Sequence, residues 1–198
     1  MASFSATDDL SYVRNDTSRA LLQEARREFA RYGIAGGRIN RIAENAGVNK
    51  ERIYAYFGSK ERLFDVAVAD ALAELVDVVA LQPGDDLGEH VMQSITHHRV
   101  APELPRLLLW EALHYSDGEL PASGARAGLY KAKIEAMKAI LGTDDSARAA
   151  SALFLVIGAA VWGSSGEPLA RLLASAAGVD DFSVETESLI RSMFGAIS

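Results

Sequence analysis

Apolar residues recur at helical spacing along almost the whole chain. Leu22, Ala25, Phe29 and Tyr32 fall three or four apart and predict a first helix over about residues 17–32, closed by Gly33. Ile34-Ala35-Gly36-Gly37 predicts a loop. Two short helices are expected over about 38–45 and 50–57. A long amphipathic one follows over about 60–81, with Leu63, Ala67, Ala71, Leu72, Leu75 and Val79 along one side. Gln82-Pro83-Gly84-Asp85 ends it. Further helices are expected over about 86–100, 103–115, 123–141, 145–163, 167–177 and 181–197, punctuated by Gly- and Asp-containing breaks. No stretch alternates apolar and polar residues for the length of a strand, and no segment repeats. The expected class is all-α: an N-terminal three-helix domain, a long fourth helix, and a C-terminal helical bundle.

Residues 42–61 carry the most information. Ala43, Ala46 and Val48 bracket Gly47; small residues let two helices cross closely, and Gly47 can take a positive φ that a β-branched residue resists. Asn49 is suited to cap the next helix through its side-chain oxygen. Ile53 and Phe57, four apart, share the face that packs inward. Lys50, Glu51, Arg52, Tyr54 and Tyr56 are left pointing mostly elsewhere. Gly58 stops the helix, and Ser59 can cap another that opens with Lys60-Glu61. Two helices joined in this way form a helix-turn-helix, whose second helix enters the DNA major groove.

The run Ile42-Ala43-x-x-Ala46-Gly47-Val48-Asn49-Lys50-x-x-Ile53-Tyr54-x-Tyr56-Phe57-Gly58-Ser59-Lys60-Glu61-x-Leu63 resembles the tetracycline-repressor (TetR) family of bacterial regulators. The similarity extends from about Thr17 to Leu72. It implies an all-helical homodimer with N-terminal DNA-binding domains, and a C-terminal domain that takes a small ligand and thereby releases the DNA. Two places depart from the family pattern. Glu51 stands where a small or neutral residue is usual, and Gly37-Arg38 stand where Thr-Thr is frequent.

Sequence-specific recognition needs phosphate contacts to set register and base contacts to read. Lys50 and Arg52, in the first turn of the recognition helix, are the long donors best placed for guanine edges. Asn49 can reach a base edge or a phosphate, in competition with its cap. Glu51 can accept from a cytosine amino group, or simply repel phosphate and hold Arg52. Tyr54 and Tyr56 offer hydroxyls to phosphate and rings to thymine methyls, with a half-buried packing role as the alternative. Lys60 adds its charge to a helix N-terminus and is the leading phosphate contact. Arg38 is a charged substitute for the missing hydroxyl, and Asn40 lies one turn further in.

Charge supports this reading once its distribution is seen. The net charge is −7, yet residues 14–62 hold eleven Lys/Arg against six Asp/Glu, and residues 63–198 hold nine against nineteen. A basic head on an acidic body docks on a polyanion while keeping the body away from it. The expected domains are a disordered tip over residues 1–13, a DNA-binding domain over 14–62, and a ligand-binding and dimerisation domain over 63–198. The tip lacks the basic residues of a minor-groove arm. Small residues on the 145–163 helix and an apolar stripe on the 181–197 helix make these two the expected dimer contact. Trp110, His114, Tyr115, Tyr130, Met137, Phe154 and Trp162 are the bulky or mixed-polarity residues available to line an effector cavity.

Other classes find little support. Without cysteine there is neither disulfide nor thiolate metal site. His97-His98 diverge by about 100° on a helix, so no metal site is expected there, and no cofactor motif is present. Neither a phosphate loop nor a recognisable Ser-His-Asp spacing suggests an enzyme. A helix-turn-helix that binds another protein is the remaining alternative. No signal peptide is recognisable, and the longest apolar run, Ala152 to Trp162, is too short to span a bilayer. These features predict a cytoplasmic protein that does not engage a membrane.

Overall fold

A computed structural model describes residues 16–115, 120 and 124–196; the expected disordered tip lies outside them. In chain order the helices are α1 (Asp16–Gly36), α2 (Ile39–Asn45), α3 (Lys50–Phe57), α4 (Lys60–Val78), α5 (Leu87–Val100), α6 (Glu103–His114), α7 (Gly124–Leu141), α8 (Ser146–Ser165), α9 (Glu167–Ala177) and α10 (Ser183–Gly195). No strand occurs among the described residues. The fold is all-α, as the periodicity predicts. Most ends fall within two or three residues of expectation, because side-chain caps set them. Asp86 accepts from the Glu89 amide at 2.8 Å to start α5, and Asp145 accepts from Ala147 at 2.8 Å to start α8. The exception is α1. Gly33 does not end it but interrupts it at φ 66°, ψ 179°, after which helical turns resume to Gly36.

The chain forms two compact units, one from residues 1–77 with 106–130 and one from 78–105 with 131–198. In the first, Leu22, Phe29, Ile42, Ile53, Leu63, Phe64 and Leu107 are almost wholly buried. The Phe29 and Phe64 rings meet edge to face at 5.4 Å, locking α1 on α4. Arg26 reinforces the same pairing from the rim, bonding Asp70 at 3.3 Å and Glu74 at 2.5 Å.

In the second unit α5 packs against both α8 and α10. Leu87, Val91 and Ile95 of α5 and Leu153, Val156 and Ala160 of α8 supply its core. The approach to α10 depends on Gly88, where a Cβ would lie 2.7 Å from the Arg191 Cα. Helix α8 is long and apolar enough, by length and composition alone, to cross a bilayer, which the eleven-residue run within it is not. Its buried Ala149, Ala152, Leu153, Val156 and Ala160 belong instead to the protein core.

Candidate functional site

The helix-turn-helix is anchored by a carboxylate. Glu28 of α1 is only 6% exposed and occupies an otherwise apolar stripe with Leu21 and Ala25. One of its oxygens accepts from the backbone N–H of Arg38 at 2.8 Å, where α2 begins. The other accepts from Arg41 Nε at 2.7 Å, and Arg41 Nη2 bonds back to the first at 2.6 Å. The Arg41 guanidinium also covers the Tyr32 ring, 4.3 Å from its centre. Glu28 thus satisfies an orphan amide at the α2 start, the service that a capping hydroxyl would otherwise give. Arg38 is the residue before α2, and its own side chain makes no capping bond. Neither Glu28 nor Arg41 was expected at the site; the detectable signal is a charge placed within an apolar helical face.

From α2 the chain turns at Gly47, whose φ of 66° matches the expected requirement. The Val48 N–H returns to the Ala43 carbonyl at 2.9 Å. The Asn49 side chain then accepts from the Arg52 amide at 2.9 Å and caps α3. Ile53 and Phe57 are buried, at 1% and 6% exposure, and fix how α3 is rotated. That rotation leaves Lys50, Glu51, Arg52 and Tyr54 exposed. Arg38 and Asn40 are exposed as well. The Lys50 and Arg52 side chains have no ion-pair partner among the described residues, so Glu51 does not hold Arg52 there. Tyr56 is half-buried, its ring edge-on to Phe57 at 6.2 Å. Ser59 caps α4 by accepting from the Arg62 amide at 3.0 Å. Lys60 is half-buried and its Nζ donates to the Ala35 carbonyl at 3.4 Å, a weak bond that a phosphate can replace.

The seven expected effector residues do not form one group. Trp110, His114, Tyr115 and Tyr130 belong to the first unit, and Met137, Phe154 and Trp162 to the second. Trp110 Nε1 donates to the Ala30 carbonyl at 3.3 Å. Tyr115 donates to Asp65 Oδ1 at 3.1 Å, and its ring stacks edge-on with His114 at 4.7 Å. Burial lifts the Asp65 carboxyl to about 6, with the Tyr115 bond opposing, and lifts the Tyr115 phenol to about 12. Tyr130 lies beside Arg126, which is held by Glu111 through two bonds of 2.5 and 2.6 Å, both side chains being buried. Met137 is wholly buried, whereas Phe154 and Trp162 are 76% and 58% exposed. Among the described residues no group of three or more acidic or histidine side chains could hold a metal ion.

Known proteins carry the same arrangement. The chain matches the family model for bacterial regulatory proteins of the tetR family over residues 21–67. It matches that for the tetracyclin repressor-like C-terminal domain over residues 86–190. It is 37% identical over 151 residues to the HTH-type transcriptional repressor SCO4008 of Streptomyces coelicolor, covering 74% of this chain and 77% of that one. To the HTH-type transcriptional repressor NicS of Pseudomonas putida it is 31% identical over 131 residues, 60% of this chain and 62% of the other. A crystal structure of the transcriptional regulator SCO4942 from Streptomyces coelicolor covers 90% of this chain and 96% of its own, with a TM-score of 0.65 and 26% identity. The protein belongs to the TetR family of transcriptional regulators. It is a DNA-binding regulator and not an enzyme.

Proposed function

We propose that this regulator is a cytoplasmic repressor that binds a pseudo-palindromic operator as a homodimer and is released by a small apolar or amphipathic effector. The observation that carries the reading is the first turn of α3. Two buried anchors, Ile53 and Phe57, present Lys50 and Arg52 to solvent without partners. Such a turn is built to insert into a major groove. In this reading Lys50, Arg52 and Asn49 read bases, with Glu51 a possible acceptor for a cytosine amino group. Arg38, Asn40, Tyr54, Tyr56 and Lys60 hold the backbone. Residues 14–62 serve DNA binding and residues 63–198 serve the effector and the second subunit.

The dimer contact is assigned to the 145–163 and 181–197 segments. Phe154, Leu155 and Trp162 of α8 and Val184, Leu189 and Met193 of α10 are all more than half exposed. Exposed apolar side chains at this density mark an association surface. A two-fold axis there gives two recognition helices, which an operator with half-sites roughly 34–36 Å apart accommodates. Phe154 and Trp162 suit this contact better than a cavity wall. The repressor names of the relatives support the sign of regulation.

The effector mechanism is a two-state one. An effector that binds the released conformation more tightly shifts the population, and α4 carries the change to the head. Selection of bound fragments from genomic DNA with the purified protein tests the proposal. Enrichment of inverted repeats with half-sites about one helical turn apart supports it. Failure to enrich any duplex, with the protein folded, refutes it.

A further inference from the structure

We propose that the second unit contains a site for the carboxylate of a small organic acid, formed by His90, Ser94 and His98 of α5 and Lys133 of α7. The inference rests on the effector reading above and gives that effector a chemical class.

Spacing comes first. His90, Ser94 and His98 stand four apart, which stacks them on one helical face. All three are buried, at 6%, 5% and 2% exposure. Three consecutive polar positions inside a core are costly unless something partners them. His98 is not fully partnered. Its Nδ1 lies 3.5 Å from the Ala160 carbonyl of α8, and a carbonyl only accepts, so Nδ1 carries the hydrogen. Its Nε2 is then a lone pair, buried with nothing to bond.

Lys133 supplies the charge. Burial alone pushes its ammonium below the ordinary lysine value, and no acid among the described residues pairs with it. Its charge is the one that acts on both rings, and it adds to burial in holding His90 down to about 4 and His98 below its usual value. The other titratable groups facing these rings are Asp85, which acts on His90, and His97, which acts on His98. An uncompensated ammonium beside two neutral imidazoles lacks an anion. A neutral ligand leaves the ammonium unpaired, and a cationic one is repelled by it. A carboxylate places one oxygen on Lys133 Nζ and the other at His98 Nε2, which takes a proton from solvent and becomes a donor. Ser94 can donate to either oxygen. Binding therefore takes up about one proton per site, and affinity rises as pH falls toward 6.

Calorimetry of the full-length protein with octanoate and with octanamide tests the site. Octanoate is expected to bind at least tenfold more tightly than the amide, and more tightly at pH 6 than at pH 8. In buffers of different ionisation enthalpy the observed heat is expected to change, reporting the proton. Lys133→Met is expected to lose at least tenfold in octanoate affinity while melting higher than the wild type without ligand. His98→Phe, which keeps a ring in place, is expected to abolish the proton uptake. Equal binding of octanoate and octanamide, with release of DNA by both, overturns the anion site and leaves the effector reading intact. Absence of binding by either overturns the site, and undiminished octanoate binding by Lys133→Met does so as well.

Discussion

The indole of Trp110 sits on Gly33. A Cβ at that glycine would lie 2.7 Å from two ring carbons, and the ring nitrogen bonds the Ala30 carbonyl one turn earlier. Helix α6 therefore grips α1 at its interruption, just before the loop that leads into α2. The backbone at Gly33, φ 66° and ψ 179°, lies in a region open essentially to glycine alone. Gly33→Ala combines that strain, about 1–3 kcal/mol, with overpacking against the indole. We expect it to lower stability by about 2–4 kcal/mol. Thermal unfolding checks this. Wild-type stability in the variant would mean that the indole moves aside freely.

Glu28 gives a second prediction. Its carboxylate holds the Arg38 amide and the Arg41 guanidinium together at 2.6–2.8 Å. Glu28→Ala leaves a cation and an amide without their acceptor, which costs about 2–4 kcal/mol. Operator affinity falls with it because the α2 start loosens, whereas the salt dependence keeps its slope, since no phosphate contact is removed. Denaturant unfolding and salt-titrated DNA binding separate the two effects. A flatter slope would place Glu28 in phosphate binding through Arg41.

Arg52 and Lys60 are expected to behave differently from each other. Arg52→Ala costs roughly 1–3 kcal/mol and relaxes preference at one or two positions of each half-site. Lys60→Ala weakens all sequences alike and reduces the salt slope by about 1 per half-site. Binding of a panel of single-base operator variants distinguishes them. An equal loss across that panel for Arg52→Ala makes Arg52 a phosphate contact.

Asp65 yields a pH prediction with a definite sign. Its folded value, about 6, stands above the ordinary 3.8 because burial disfavours the anion. A raised acid contributes its stability below the unfolded value and loses it as pH rises through the folded one. Stability attributable to Asp65 therefore falls between about pH 4 and pH 6 and stays low above. Asp65→Asn, which can still accept from Tyr115, is expected to stabilise the protein at pH 7 by about 1–3 kcal/mol and to have little effect at pH 4. A variant that is destabilised at pH 7 would show that the anion is needed by its surroundings.

Much of the recognition element was legible in the chain because its determinants are local. The positive φ of Gly47, the Asn49 cap, the inward Ile53 and Phe57 and the Ser59 cap each depend on residues within four positions. The α1 end was read differently because Gly33 is held by Trp110, seventy-seven positions away, which periodicity does not reveal. The Glu28–Arg41 pair and the buried Glu111–Arg126 pair were missed for the same reason: partners from different helices meet only in the fold. The aromatic residues proposed to line one cavity were chosen by chemistry alone, and packing distributes them over two units.

The most direct measurement is the binding of a selected operator duplex by the full-length protein between about 50 and 200 mM salt, with mass determination of the complex. The account predicts two protein chains per duplex and an affinity that drops steeply with salt, most of that drop disappearing when Lys50, Arg52 and Lys60 are replaced together. One chain per duplex, or an affinity indifferent to salt, would contradict it.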